Sequence, residues 1–191
     1  MKGSSDSRIY VALIHHPVID KNGETIASAV TNLDLHDIAR VSRTYGVKGY
    51  YVITPLEDQR VLVARILDHW ATGVGGTYNP SRRQALELVR VMATFTEMIG
   101  DIAAADGCRP ITVATTARQH AESLPFGQLR EMLGGGGTFV LAFGTAWGLS
   151  DAFMADADYI LEPLSGAGNY NHLSVRSAVS IILDRLLGDK R

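Results

Sequence analysis

Thr138-Phe-Val-Leu-Ala-Phe-Gly-Thr-Ala-Trp-Gly-Leu-Ser150 is an apolar run that breaks at Gly144 and, beyond Gly148, opens a short helix. A strand with no polar alternation is covered on both faces, which is how the strands of a parallel sheet read. Glycines at its carboxyl end let a ligand approach the backbone without a Cβ in the way, and in open α/β sheets that edge is where ligand crevices form. A purely structural strand-to-helix turn has the same appearance. Four further runs share the strand character: Ile9 to Ile14, Gly49 to Thr54, Ile111 to Ala114 and Tyr159 to Leu161. Helical periodicity fills the intervals, at Asp34 to Tyr45, Glu57 to Trp70, Ser81 to Ala105, Pro125 to Leu133 and Asn171 to Leu187. The alternation predicts an α/β fold, a mostly parallel sheet flanked by helices, in a single domain over residues 1–191. No internal repeat is present.

The composition narrows the functional classes. With 46% apolar and 20% charged residues, the 191-residue chain can bury a sizeable core, which excludes a disordered or fibrous protein. No apolar run approaches the roughly 18 residues of a membrane span, and Gly3-Ser-Ser-Asp-Ser7 does not read as a signal peptide. A cytoplasmic protein with no membrane partner is expected. The lone Cys108 leaves no internal disulfide and no multi-cysteine metal site. A formal net charge of −2 means that a nucleic-acid partner would need a local basic patch. Glycine, at 19 residues, implies many tight turns or close backbone approaches.

Several standard motifs are absent. There is no G-x-G-x-x-G and no Gly-Lys dipeptide, hence no dinucleotide fingerprint and no P-loop. H-E-x-x-H, C-x-x-C and G-x-S-x-G are missing as well, and with them the metalloprotease, thioredoxin-like and α/β-hydrolase signatures. His15 and His16 follow a strand and point in opposite directions, a poor metal pair, and no metal is expected. Gly73-Val-Gly-Gly-Thr-Tyr-Asn-Pro80, followed by Arg82 and Arg83, reads either as a lid carrying phosphate contacts or as a flexible connection with solvated arginines. Gly134 to Gly137 reads as a helix stop plus turn.

Two other segments carry polar chemistry. From Thr31 to Val47 the pattern is a helix with Asp34 as its N-cap and Gly46 at its stop. At about 100° per residue, Leu35, Ile38, Ser42 and Tyr45 form one stripe and His36, Arg40 and Arg43 another. The second stripe suits phosphate or ribose; a solvated face beside a core stripe gives the same spacing. From Tyr159 to Ala178, a long loop rich in Gly, Pro, Asn and Ser joins a strand to a helix, presenting free backbone N–H groups to a polar ligand. The helix that follows is apolar around most of its circumference, so it is buried inside the domain or against a second subunit.

In order, the three segments resemble the three motifs of the SPOUT superfamily, trefoil-knotted methyltransferases that use S-adenosylmethionine and mostly modify RNA. The first family motif is commonly N-x-x-x-x-x-R; here Asp34 and Arg40 hold those positions. The second is F-G-x-E-x-x-G-L-S; here it is Phe143, Gly144, Thr145, Trp147, Gly148, Leu149 and Ser150, one residue shorter and without the glutamate. The third has Ile160, Pro163, Leu164, Gly166 and Leu173-Ser174-Val175, with Tyr170-Asn171-His172 in place of S-L-N. The details look most like a bacterial subgroup found alone or joined to a tRNA guanine-N1 methyltransferase.

The resemblance implies a C-terminal trefoil knot and S-adenosylmethionine bound by Thr115, Thr116, Phe143, Gly144, Thr145, Trp147, Gly148, Leu149, Ile160, Glu162, Pro163, Leu164, His172, Leu173 and Ser174. It implies catalytic roles for Arg40, Asp34 and His172, RNA contacts from His36, Arg43, Arg82 and Arg83, and a homodimer acting on tRNA or rRNA, at a ribose 2′-hydroxyl. A cofactor-binding RNA-interaction module without catalysis of its own is the alternative, and a small-molecule-binding α/β domain a third.

Overall fold

The computed structural model describes residues 7–168 and 170–188. In chain order the strands are β1 (Arg8–Ile14), β2 (Val18–Ile19), β3 (Thr25–Ile26), β4 (Gly49–Ile53), β5 (Val89–Met92), β6 (Ile111–Ala114), β7 (Thr138–Gly144) and β8 (Tyr159–Ile160). The helices are α1 (Asn32–Thr44), α2 (Glu57–Ala71), α3 (Val74–Tyr78), α4 (Pro80–Leu86), α5 (Phe95–Asp106), α6 (Phe126–Gly134), α7 (Asp151–Asp156) and α8 (Val175–Leu187). Six strands form a parallel sheet in the order β5-β4-β1-β7-β6-β8, and β2 and β3 make a separate antiparallel pair.

The strand pattern decides the layering. Along β1, Ile9, Val11 and Leu13 face one core, with Leu35 and Ile38 of α1, Val63 of α2, Leu129 of α6 and Val179 and Leu183 of α8. Tyr10, Ala12 and Ile14 face the other, with Met98 and Ile102 of α5 and Phe153 and Met154 of α7. Both faces are therefore helix-covered, which is why these strands are apolar without alternation. Because every strand of the main sheet runs the same way, the loops after Ile14, Ala114, Gly144 and Ile160 all leave from one edge.

Several expectations are corrected. The predicted helix Ser81 to Ala105 is three elements: α4, β5 and α5. The run Val89-Arg-Val-Met92 pairs with β4, Tyr50 opposite Val89, and Thr94 with Glu97 forms a capping box that starts a new helix. The N-cap of α1 is Thr31, not Asp34; Thr31 Oγ1 accepts from the Asp34 N–H, and Asp34 sits in the first turn. α8 begins at Val175 with Ser174 as N-cap, later than the predicted Asn171. The breaker segment after Gly73 contains the short helix α3, and Asn79 caps α4 by accepting from the Arg82 N–H. No helix among the described residues is long and apolar enough to cross a membrane.

Candidate functional site

At the carboxyl edge of the sheet, β7 ends in a turn pinned from both sides. Thr145 donates from both its N–H (3.1 Å) and its hydroxyl (3.0 Å) to the Ile14 carbonyl, and Gly148 N–H donates to the Thr145 carbonyl at 2.9 Å. Trp147 N–H to Ile19 O (3.1 Å) and Ile19 N–H to Gly148 O (3.0 Å) fasten the turn to β2. A Cβ on Gly144 would lie 2.5 Å from Leu149 N, so only glycine fits, and Gly148 has φ +109°, a region that side chains rarely adopt. Beneath the turn, Ser28 Oγ is 2.5 Å from Thr145 Oγ1 and 3.0 Å from His15 Nδ1. His15 is fully buried; desolvation pushes its pKa down to about 4, against the opposing pull of the Asp34 charge, so the ring is neutral at neutral pH.

The turn forms the floor of a cavity of about 510 Å³, within the usual range for small-molecule sites. One wall is the chain leaving β6, where Thr115 donates to the Ala142 carbonyl from N–H and hydroxyl, both at 2.9 Å, and Ala117 O accepts from Asn171 Nδ2 at 3.1 Å. Another wall is the first turn of α1, through Thr31 and Asp34. The nearly buried Asp34 carboxylate accepts from Thr31 Oγ1 at 2.6 Å and from Arg176 Nη1 at 3.3 Å, and Arg176 Nε is 3.6 Å from Asp37. Arg176 thus ties the start of α8 to the start of α1.

Most of the residues expected at a cofactor site meet here. Thr115, Thr116, Phe143, Gly144, Thr145, Trp147, Gly148, Glu162, Leu164, His172, Leu173 and Ser174 all border the cavity. Three do not. Leu149 is buried in the α5/α7 core and Ile160 packs against it, while Pro163 is buried outside the lining. Glu162 has a structural bond too: its carboxylate accepts from the Phe126 N–H at 2.6 Å and holds the start of α6. His172 is exposed at the cavity mouth, its ring 6.4 Å from Trp147 and 6.3 Å from Tyr170. Sequence reasoning missed Ser28, Arg118 and Arg176, which also border the cavity. Arg118 lies two residues beyond the flagged Thr116 and was within reach of the strand-end argument; Ser28 and Arg176 had no local signal.

Arg40 does not border the cavity. It lines a second groove of about 580 Å³ on the other side of α1, with His36, Arg65, His69, Trp70 and Arg82. Of the residues expected to contact RNA, His36 and Arg82 are in this groove, whereas Arg43 is exposed outside it and Arg83 lies 3.6 Å from Glu87. The pKa of His36 is lowered, first by burial and then by the Arg82 charge. No cluster of three or more His, Cys, Asp or Glu that could hold a metal ion occurs among the described residues.

An open parallel α/β sheet with a cofactor-sized cavity at its carboxyl edge defines a class of small-molecule-dependent enzymes and binding domains. Within that class, residues 8–188 match the SAM-dependent RNA methyltransferase family, and the chain belongs to it. The chain is 47% identical over 181 residues to a tRNA (guanine-N(1)-)-methyltransferase of Oleidesulfovibrio alaskensis, covering 95% of this chain and 42% of that protein. It is 41% identical over 187 residues to an uncharacterized protein of Aquifex aeolicus, covering 97% of this chain and 91% of that one. It therefore spans less than half the length of the first relative and nearly all of the second. In fold it is similar to the SpoU methyltransferase AviRb of Streptomyces viridochromogenes, with TM-score 0.57 and 16% identity, covering 97% of this chain and 60% of that one. AviRb has also been solved in complex with the cofactor AdoMet. The expected family of S-adenosylmethionine-dependent RNA methyltransferases and the expected α/β architecture are thus borne out.

Proposed function

We propose that the chain binds S-adenosylmethionine in the cavity and methylates tRNA or rRNA at a ribose 2′-hydroxyl. The observation that carries this reading is the convergence of the three motif segments on one cavity at the carboxyl edge of the sheet. The residues present fit such a cofactor. Leu164, Leu173 and Ile182 offer apolar surface to a purine and a thioether, threonine hydroxyls and the backbone of 144–148 and 171–174 offer polar contacts, and the missing Cβ at Gly144 and Gly148 keeps the turn close. When bound, the cofactor supplies an electrophilic methyl group on a sulfonium.

The chain's own contribution is mainly positioning. Trp147 and His172 at the mouth would contact the acceptor nucleotide, and Asp34, held by Thr31 and Arg176, fixes the α1 wall against which it lies. Arg40 is proposed to orient or electrostatically activate the acceptor hydroxyl, with phosphate contacts from His36, Arg43, Arg82 and Arg83. Threading of the C-terminal segment into a trefoil knot is supported by the bonds that lace it to the chain leaving β6: Asn171 to Ala117, Leu124 N–H to Ile160 O, and Glu162 N–H to Leu124 O. A homodimer through the last helix is supported by the exposed Leu173 and Ile181 at α8. A cytoplasmic setting, and a tRNA guanine-N1 methyltransferase as covalent or separate neighbour, complete the reading; the relative from Oleidesulfovibrio supports the last.

Two observations favour the alternative of a cofactor-binding RNA module without independent catalysis: Arg40 lies outside the cavity, and the turn after Gly144 carries no carboxylate. Calorimetry with S-adenosylhomocysteine, a solution mass, and methyl transfer from labelled cofactor to tRNA and rRNA fractions separate the two. Binding with transfer to an alkali-resistant linkage supports the ribose methyltransferase. Binding without transfer supports the module, an alkali-labile product moves the target to a base, and no binding by folded protein refutes the cavity assignment.

A further inference from the structure

Three arginines from three helices converge on the groove outside α1: Arg40 from α1, Arg65 from α2 and Arg82 from α4. None of the three makes an ion pair among the described residues. Asp37 borders the groove but lies 3.6 Å from Arg176 Nε. In a chain of net charge −2, three uncompensated guanidinium groups in one concavity repel one another unless an anion joins them.

The groove is also built. The Arg82 guanidinium lies over the Trp70 ring, 5.0 Å from its centroid, and the His36 and His69 rings meet Trp70 edge-on at 5.4 and 5.7 Å. The cation–π contact places the charge without consuming an N–H donor. Two atoms buried at this site, Arg82 Nε and His36 Nδ1, have no hydrogen-bond partner among the described residues, a costly arrangement for the Arg82 N–H. The forked donors of arginine match the oxygens of a phosphodiester in a way that lysine does not.

We propose that this groove is a phosphodiester subsite, in which Arg65 and Arg82 grip the RNA backbone beside the nucleotide whose hydroxyl Arg40 orients. The proposal rests on the RNA methyltransferase reading. Position supports it: the first turn of α1 is a shared wall, with Thr31 and Asp34 on the cavity side and Asn32, Leu33 and His36 on the groove side. A strand whose target nucleotide enters the cavity over that turn lays its next phosphates into the groove.

The test uses the full chain, a bulk tRNA fraction as probe and fluorescence anisotropy from about 50 to 200 mM salt, where phosphate contacts show as the slope of log affinity against log salt. Arg65→Ala, an exposed position, and Arg82→Lys, which keeps the charge on Trp70, guard against misfolding. For Arg65→Ala the slope is expected to become shallower by about one, and affinity to fall severalfold whatever the RNA sequence, with S-adenosylhomocysteine affinity unchanged. Arg82→Lys is expected to weaken binding while keeping most of the slope. If Arg65→Ala combined with Arg82→Ala leaves affinity and slope at wild-type values while the cofactor product still binds, the subsite is overturned and the methyltransferase reading stands. A wild-type protein that binds neither tRNA nor S-adenosylhomocysteine overturns both.

Discussion

Gly144→Ala probes the strand-end turn at its tightest point. The added Cβ would lie 2.5 Å from Leu149 N, 2.8 Å from Gly148 C and 3.0 Å from Leu149 Cγ. Comfortable separation for such atoms is roughly 3.5 Å, so the turn must retreat by about half to one ångström. Its escape is blocked, because Trp147 and Gly148 are hydrogen-bonded to Ile19, and Thr145 to Ile14. Overpacking of this kind costs about 1–3 kcal/mol, and each kcal/mol lowers the melting temperature of a chain this size by about 2–4 °C. Residues 144–148 are also the cavity floor, so S-adenosylhomocysteine affinity should fall on the order of tenfold or more. The assay is thermal unfolding with calorimetric titration. Gly100→Ala serves as control: Gly100 lies within α5 with nothing within 4 Å of its Cβ, and alanine there should stabilise by about 0.5–1 kcal/mol. Wild-type melting and wild-type affinity in Gly144→Ala would refute both the close approach and the turn's place in the site.

Other perturbations reach different parts of the machinery. Neutral His15 titrates near 4 when folded and near 6.5 when unfolded, so the unfolded chain binds the proton first as pH falls; stability is complete above about 6.5 and declines toward 4, by roughly 3 kcal/mol. Denaturant curves of His15→Gln should lack that share of the decline, and an identical pH slope would remove His15 as its source. Arg176→Ala leaves the nearly buried Asp34 carboxylate without its cation and should cost about 1–3 kcal/mol in urea unfolding, the partly exposed arginine keeping the figure below that of a buried pair; a change under about 0.5 kcal/mol, the ordinary range for a surface substitution, argues against the tie. Arg40→Ala should leave S-adenosylhomocysteine affinity unaltered and lower methyl transfer by orders of magnitude; equal turnover would end its proposed catalytic role.

The sequence was most legible where burial acts on a whole element. Covered on both faces, β1, β4 and β7 admit no polar alternation, so their apolar runs stand out. The edge strand β5 was lost because its Arg90 is exposed and only Val89 is fully buried, leaving four residues that merge into the helical periodicity on either side. Thr94 and Glu97, a capping box in the middle of the supposed helix, were the available warning. At the site, strand-end loops were readable as motifs, but the direction of each side chain was not. Leu149 and Ile160 belong to matching motifs and face the core, because the backbone path through the turn decides where each Cβ points. Ser28 joins the cavity floor through Thr145, 117 residues away in sequence, and Arg176 joins α1 through Asp34, 142 residues away; no local pattern records such distances.

The wall between the cavity and the groove is a single helical turn, braced from behind by Arg176. Anything that displaces α1 when one compartment fills is felt in the other, which makes the two compartments thermodynamic partners. If S-adenosylhomocysteine fills the cavity and RNA the groove, as proposed, linkage imposes a symmetry: by whatever factor the first changes the affinity for RNA, RNA changes the affinity for the first by the same factor. Loosening the brace at Arg176, which also borders the cavity, should move both affinities toward independence, over and above any direct loss of S-adenosylhomocysteine affinity.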